Sequence, residues 1–216
     1  VNFGFEKWAF LTSVTYSDFG NLKMGSHGPN DYLRQEYVET RNGVDGLVQN
    51  KDPRIQIPTG YNQINLLQKI AWQPNNIWDV TVGAYYSTTS DFSRYDRLYQ
   101  KRNGKFRSAD WYYGPQSWFL GNLQLSKKGN GKLYDKAKFT GAYQNFGESR
   151  HDRNFENEIL YSTSEKVDAY SANLDFEKGF LKDKLFYGVE YVINFIDSQG
   201  AGENIFNGAA IEHPAR

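Results

Sequence analysis

The chain has 216 residues, with 25 basic and 25 acidic side chains, no cysteine and three histidines. Zero net charge leaves no global field to hold it on nucleic acid or an anionic surface, and the absence of cysteine excludes disulfides and thiolate metal sites. With a mean hydropathy of −0.72 and no apolar run of about 18 residues, a helical membrane span is excluded as well.

The composition favours strands: 16 Tyr, 15 Phe and 5 Trp stand beside 20 Gly and a single Met, a bias typical of all-β proteins. The length suits one ordinary domain. No signal peptide is expected at the start, where Val1 opens an extended, aromatic-rich segment.

From Glu6 to Tyr16 the residues alternate, with Trp8, Phe10, Val14 and Tyr16 on one face and Lys7, Ala9, Leu11, Ser13 and Thr15 on the other. This is the period of two of a strand. Asn62 to Trp72 repeats it, with Ile64, Leu66, Ile70 and Trp72 on the oily side. So does the next run, with Trp78, Val80, Val82, Ala84 and Tyr86. A fourth strand carries Phe119, Gly121, Leu123 and Leu125, and a fifth Ala137, Phe139, Gly141 and Tyr143. A sixth carries Tyr170, Ala172, Leu174 and Phe176, and a seventh Leu185, Tyr187, Val189, Tyr191 and Ile193.

The connections between these seven strands are of two kinds. Tight turns are expected at Gln73-Pro74-Asn75-Asn76, at Lys128-Gly129-Asn130-Gly131 and between Gly179 and Asp183. Long connections are expected over Asp18 to Gly60, Ser90 to Gln116 and Phe146 to Lys166. Short on one side and long on the other is the asymmetry of an outer-membrane barrel, whereas compact soluble domains seldom carry several long structureless loops.

Trp72, Trp78, Tyr134 and Phe176 border the tight turns, and Tyr16, Tyr86 and Tyr143 the long-loop ends, as two interfacial girdles require. The mixed face then becomes a lumen, where Lys136 and Lys138 are expected to meet Asp175 and Glu177 across antiparallel strands. A soluble sandwich produces similar alternation; confinement of these charges to the polar face favours the barrel.

Asn42-Gly43 and Asp45-Gly46 offer turns that fold the first long loop back as a hairpin, and Arg102-Asn103-Gly104 does the same in the second. Loop Tyr, Trp and Arg side chains give rigid contact area at low entropic cost. The candidate ligand contacts are therefore His27, Tyr32, Arg34 and Tyr37 in the first loop, Tyr95, Arg97, Trp111, Tyr112 and Tyr113 in the second, and His151 in the third. Ordinary loop packing and solvated histidines are the competing explanation. The basic run Lys101, Arg102, Lys105 and Arg107 suits a solvated or lipopolysaccharide-facing patch better than a phosphate grip. Glu156 and Glu158, near Asp152, are expected to be solvated, and no phosphate loop or metal-spaced His pair is present in the sequence. Neither enzyme chemistry nor a bound cofactor is expected.

Three strings then carry a resemblance: Ser13-Val14-Thr15-Tyr16-Ser17-Asp18-Phe19-Gly20-Asn21-Leu22-Lys23-Met24-Gly25, then Pro58-Thr59-Gly60-Tyr61-Asn62-Gln63, then Trp111-Tyr112-Tyr113-Gly114-Pro115-Gln116. With Asp168-Ala169-Tyr170-Ser171 and Leu174-Asp175-Phe176-Glu177, they make the chain resemble TonB-dependent outer-membrane receptors of Bacteroidota, in the haem, siderophore and cobalamin group. The resemblance implies a 22-stranded transmembrane β-barrel with an N-terminal plug, in the bacterial outer membrane, importing a scarce nutrient with energy from the inner-membrane TonB complex. The chain is expected to supply seven strands of an antiparallel meander from the early barrel, without plug, TonB box or closing strand. Outer-membrane lipid, lipopolysaccharide and a surface lipoprotein are the implied neighbours, and nucleic acid is not. The alternatives are a secreted carbohydrate-binding β-sandwich and a barrel component of a larger outer-membrane assembly.

Overall fold

The computed structural model describes residues 1–214. They form an all-β chain built on one antiparallel sheet of 11 strands. A short first strand, β1 (Asn2–Phe5), turns through Glu6 and Lys7 into β2 (Trp8–Phe19). After a long excursion carrying the hairpin β3 (Glu36–Arg41) and β4 (Val44–Gln49), the chain returns down β5 (Tyr61–Trp72) and rises in β6 (Trp78–Thr89). A second excursion holds β7 (Phe92–Ser93), the one-turn helix α1 (Tyr95–Leu98), the small hairpin β8 (Lys101–Arg102) and β9 (Lys105–Phe106), and β10 (Ser108–Tyr113). Then come β11 (Ser117–Lys128), β12 (Lys136–Asn154), β13 (Ile159–Phe180), β14 (Asp183–Asn204) and β15 (Ala210–Glu212).

The main path runs β1-β2-β5-β6-β11-β12-β13-β14-β15, a meander of sequential neighbours. All seven long strands expected from the alternation are present, and their registers keep it in phase. Phe10 faces Ile70, Ile70 faces Val82, Val82 faces Leu123, and the row continues through Gly141, Ala172 and Tyr191. Because a slip of one residue would invert a strand's faces, seven in-phase strands give one continuous apolar face and one polar face.

Neither face of the long strands is filled. Among the described residues, the only buried hydrophobic side chains are Phe106 and Ala109, and both lie in the second excursion, on β9 and β10, away from the long strands' faces. By contrast, Val82 and Val189 on the apolar face are 47% and 65% exposed. That face is bordered below by Trp8 stacked on Trp72 at 5.4 Å and by Phe176 stacked on Tyr187 at 5.1 Å. Above, Tyr143 lies 4.9 Å from Tyr170, with Phe119 and Phe195 flanking them. On β6 the two rows are marked by Trp78 and Tyr86, about 26 Å apart along the strand at about 3.3 Å per residue.

The polar face is hydrogen-bonded laterally. Gln63 donates to Asn65 and Ser87, Ser87 donates to Asn65, and the Trp118 indole donates to Gln144. Gly83 leaves room here, since a Cβ at that position would run into Asn122 Oδ1.

Three expectations need correction. Phe146 to Lys166 is not a long connection: β12 and β13 run on to Asn154 and back from Ile159, leaving a turn of four residues. Polar, charged residues in this stretch hide a strand that pairs along its whole length but buries no oily stripe. The seventh strand likewise extends beyond Ile193 to Asn204. Finally, Lys136 stands opposite Glu177 and Lys138 opposite Asp175 as expected, but the ion pairs formed are Lys184–Glu177 and Lys178–Asp135, both at 2.6 Å. Lys184, near the turn, reaches Glu177 first, and among the described residues no ion pair forms at Asp175.

Leu181, in the two-residue turn before β14, holds a left-handed φ of 50°. Relieving it with Leu181→Gly should stabilise the chain by about 1 kcal/mol, whereas Gly188→Ala, whose Cβ would run into the Leu174 backbone carbonyl, should destabilise it by about 1–3 kcal/mol through overpacking. Thermal unfolding followed by β-sheet circular dichroism checks both signs.

Candidate functional site

The two long excursions fold into an ordered cap above β12 and β13. In β3–β4 the turn residues Asn42 and Gly43 have φ of 50° and 78°, and in β8–β9 Asn103 and Gly104 have 53° and 79°. Both hairpins thus use the Asn-Gly turn with left-handed φ at both central residues, which matches strand twist. The expected turn at Asp45-Gly46 is absent; both residues lie inside β4. β10 adds to the upper part of β12, with Tyr112 opposite His151 and Tyr113 opposite Arg150, and β7 adds to β10.

Arg153 fixes the cap. It is 1% exposed, and each of its five N–H donors has an acceptor. Nε donates to Asp110 at 2.7 Å. Nη1 donates to Asp45 Oδ2 at 3.0 Å and to the Asn157 carbonyl at 2.7 Å. Nη2 donates to the Thr40 hydroxyl at 2.8 Å and to Asp45 Oδ1 at 2.7 Å. One side chain on β12 thereby ties down β3, β4, β10 and the β12–β13 turn. A buried guanidinium is tolerated only when paired and fully hydrogen-bonded. Burial pushes the Asp45 carboxyl up, but hydrogen bonds from Arg153, Thr40 and the Glu156 backbone N–H outweigh it and hold the group below the usual carboxylate range.

A cleft of about 270 Å³ opens between β3, α1 and β10. Of the ten candidate contacts, Tyr37, Tyr95, Trp111 and Tyr112 line it. Burial raises the phenol pKa values of Tyr95 and Tyr112, which keeps both as hydrogen-bond donors. Arg34 lies beside the cleft, its guanidinium carbon 4.2 Å over the Tyr99 ring. Arg97, on α1, sits 3.9 Å from Asp96. Tyr113 packs against Phe92 and edge-on to Trp111.

His151 is stacked on Tyr112 at 4.6 Å, and its two ring nitrogens are each 2.8 Å from a serine hydroxyl, Ser149 and Ser162. Burial lowers its pKa, favouring the neutral imidazole. The arrangement positions Tyr112 and leaves neither nitrogen free for a ligand. His27 and Tyr32 are not brought to the cleft lining; both are exposed, and His27 contacts the Ser26 hydroxyl. Among the described residues no group of three His, Asp or Glu side chains converges to hold a metal. Glu156 pairs with Lys105, and Glu158 accepts from Asn204.

Lining residues missed by sequence reasoning include Glu36, Glu39, Tyr99, Phe106 and Asp110. Tyr99 and Phe106 carry a usable signal, being aromatics that flank the second Asn-Gly hairpin. The acids carry none, since each is one charge among many in polar loops.

Arg153→Met should release the β3–β4 hairpin at a cost of about 3–5 kcal/mol, seen as faster amide hydrogen exchange across Glu36–Gln49 with the long strands unchanged. For Asp45 the folded pKa is depressed. Its contribution is therefore complete above the unfolded value of about 3.9 and is lost as pH falls through the folded value. Trp111 emission should shift as the cap loosens below about pH 4, and Asp45→Asn should remove that step.

No protein-family model matches the chain, and no curated protein or solved structure matches it.

Proposed function

We propose that this chain forms part of the transmembrane β-barrel of a bacterial outer-membrane receptor. Its extracellular cap captures a scarce nutrient, and energy from the inner-membrane TonB complex drives import. The function is binding and transport rather than catalysis.

The observation that carries this reading is the unburied apolar face. Trp8, Ile64, Val82 and Val189 lie on one side of one sheet, each more than a third exposed, and an apolar surface of this extent in water is a liability. In lipid it is the required surface, flanked by aromatic rows at the two interfaces. The nine residues from Trp78 to Tyr86 match the span of a tilted transmembrane strand of about 9–11 residues. The short connections β1–β2, β5–β6, β11–β12 and β13–β14 fall at one end, and the two long excursions of the cap, with the four-residue β12–β13 turn beneath them, fall at the other, the polarity of periplasmic turns and extracellular loops.

A secreted carbohydrate-binding sandwich needs a second sheet on the apolar face, and no described segment packs there in that manner. The cleft supports a capture role, since it is concave, aromatic-walled and held by a buried network instead of by mobile loops.

Detergent dependence is the direct test. The full-length protein should fractionate with outer membranes and need detergent once extracted; a stable monomer in plain buffer would sink the proposal. Face by face, Val82→Arg should cost about 2–4 kcal/mol on refolding into phosphatidylcholine vesicles, while Thr81→Arg, one residue away on the polar face, should be tolerated.

A further inference from the structure

Cations of the chain itself already sit on the aromatic rings of the cleft. The Arg34 guanidinium carbon is 4.2 Å over Tyr99, that of Arg94 is 5.0 Å over Trp111, and Lys101 Nζ is 4.6 Å over Phe106. The three rings all line the cleft, and the three cations come from separate stretches of sequence. Lys101 is the most informative, because its ammonium also bonds Glu36, another lining residue, at 2.6 Å. A positive charge held between a ring and a carboxylate is the arrangement that recognises an organic cation.

The charge of the wall agrees. The charged side chains of the lining are Glu36, Glu39 and Asp110, and among the described residues no Lys, Arg or His belongs to it. Asp110 is committed to buried Arg153. Glu36 and Glu39 are held only by the more exposed Lys101 and Arg41, in surface pairs weak enough to exchange with an incoming cation. An anionic ligand entering the same space would meet Glu36 and Glu39 and would have to draw Lys101, Arg34 or Arg94 off the rings they cover, whereas a cation can take the place that Lys101 holds.

We propose that the cleft is a site for an organic cation, an alkylammonium or alkylguanidinium group on a short apolar stem, seated among the tyrosines and countered by Glu36 and Glu39. Lys101 is the chain's own occupant of part of that site. The inference rests on the cleft being a capture site and is independent of whether the sheet spans a membrane.

Calorimetric titration of the full-length protein in detergent with agmatine, a short arginine-rich peptide and citrate tests it. Agmatine or the peptide should bind saturably, with affinity falling about tenfold in the Glu36→Gln/Glu39→Gln double variant and falling again between about 0.1 M and about 1 M salt. Lys101→Ala should instead tighten binding severalfold by vacating Glu36 and Phe106, an effect that mere damage to the fold does not produce. Tighter binding of the peptide assigns the cation to polypeptide side chains, and tighter binding of agmatine assigns it to a free amine. The proposal is overturned by no saturable binding of either cation, by citrate binding equally well, or by a folded Lys101→Ala protein that binds agmatine more weakly. A protein stable in plain buffer that still takes agmatine would refute the transport reading and keep this one. An outer-membrane barrel indifferent to both cations would do the reverse.

Discussion

Seven long strands keep their side-chain alternation in phase across the sheet, and everything else in the chain is arranged around the apolar face that results. In an ordinary domain that face would be covered by a second layer, because buried apolar area is the main term holding a fold together. Here the rows from Phe10 through Val82 and Leu123 to Tyr191 have no second layer. What holds the strands in place is the backbone ladder, cross-strand ring pairs such as Trp8–Trp72 and Tyr143–Tyr170, and the lateral hydrogen bonds of the polar face. An environment that supplies the missing apolar contact is therefore part of the folding problem.

The cap obeys the opposite rule. Its anchor is a buried charge, and such a group stabilises only while every donor is answered. Arg153 meets this condition by drawing one acceptor set from each neighbouring segment: Thr40 and Asp45 from the first hairpin, Asp110 from β10 and the Asn157 carbonyl from the adjacent turn. The hairpin has little apolar area of its own to bury, so the ionic network does the orienting that a hydrophobic core does elsewhere. Phe206 adds a smaller contact, its ring pressed against the tip of the hairpin at Gly43.

Much of the sheet was legible in the sequence because burial or lipid contact on one face forces a period of two. Trp78, Val80, Val82, Ala84 and Tyr86 could be assigned to one face from spacing alone, and the two Asn-Gly turns announce their hairpins through the φ they require. The upper halves of β12 and β13 were not legible, because the pairing there is carried by backbone hydrogen bonds between polar residues, with no oily stripe to mark it. The site was half legible for a related reason. Tyr37, Tyr95, Trp111 and Tyr112 stand out by residue type, while Glu36, Glu39 and Asp110 acquire meaning only when three distant segments are brought together. Arg153 looks in the sequence like one more solvated charge beside Arg150 and Asp152, and nothing local distinguishes it.

The misread segment is also the one that makes the cap a site. Had Phe146 to Lys166 been a flexible loop, Arg153 and His151 would have had no fixed origin, and the hairpins above them no foundation. As an extension of the β12–β13 ladder, it carries the sheet's rigidity beyond the upper aromatic row and presents Arg153 and His151 at set positions. Arg153 then fixes β3 and β10, the two walls of the cleft, and His151 supports Tyr112 from below. Two walls of the cleft are thus set by strands rather than by loops, and this arrangement leaves their rings and carboxylates ordered in advance.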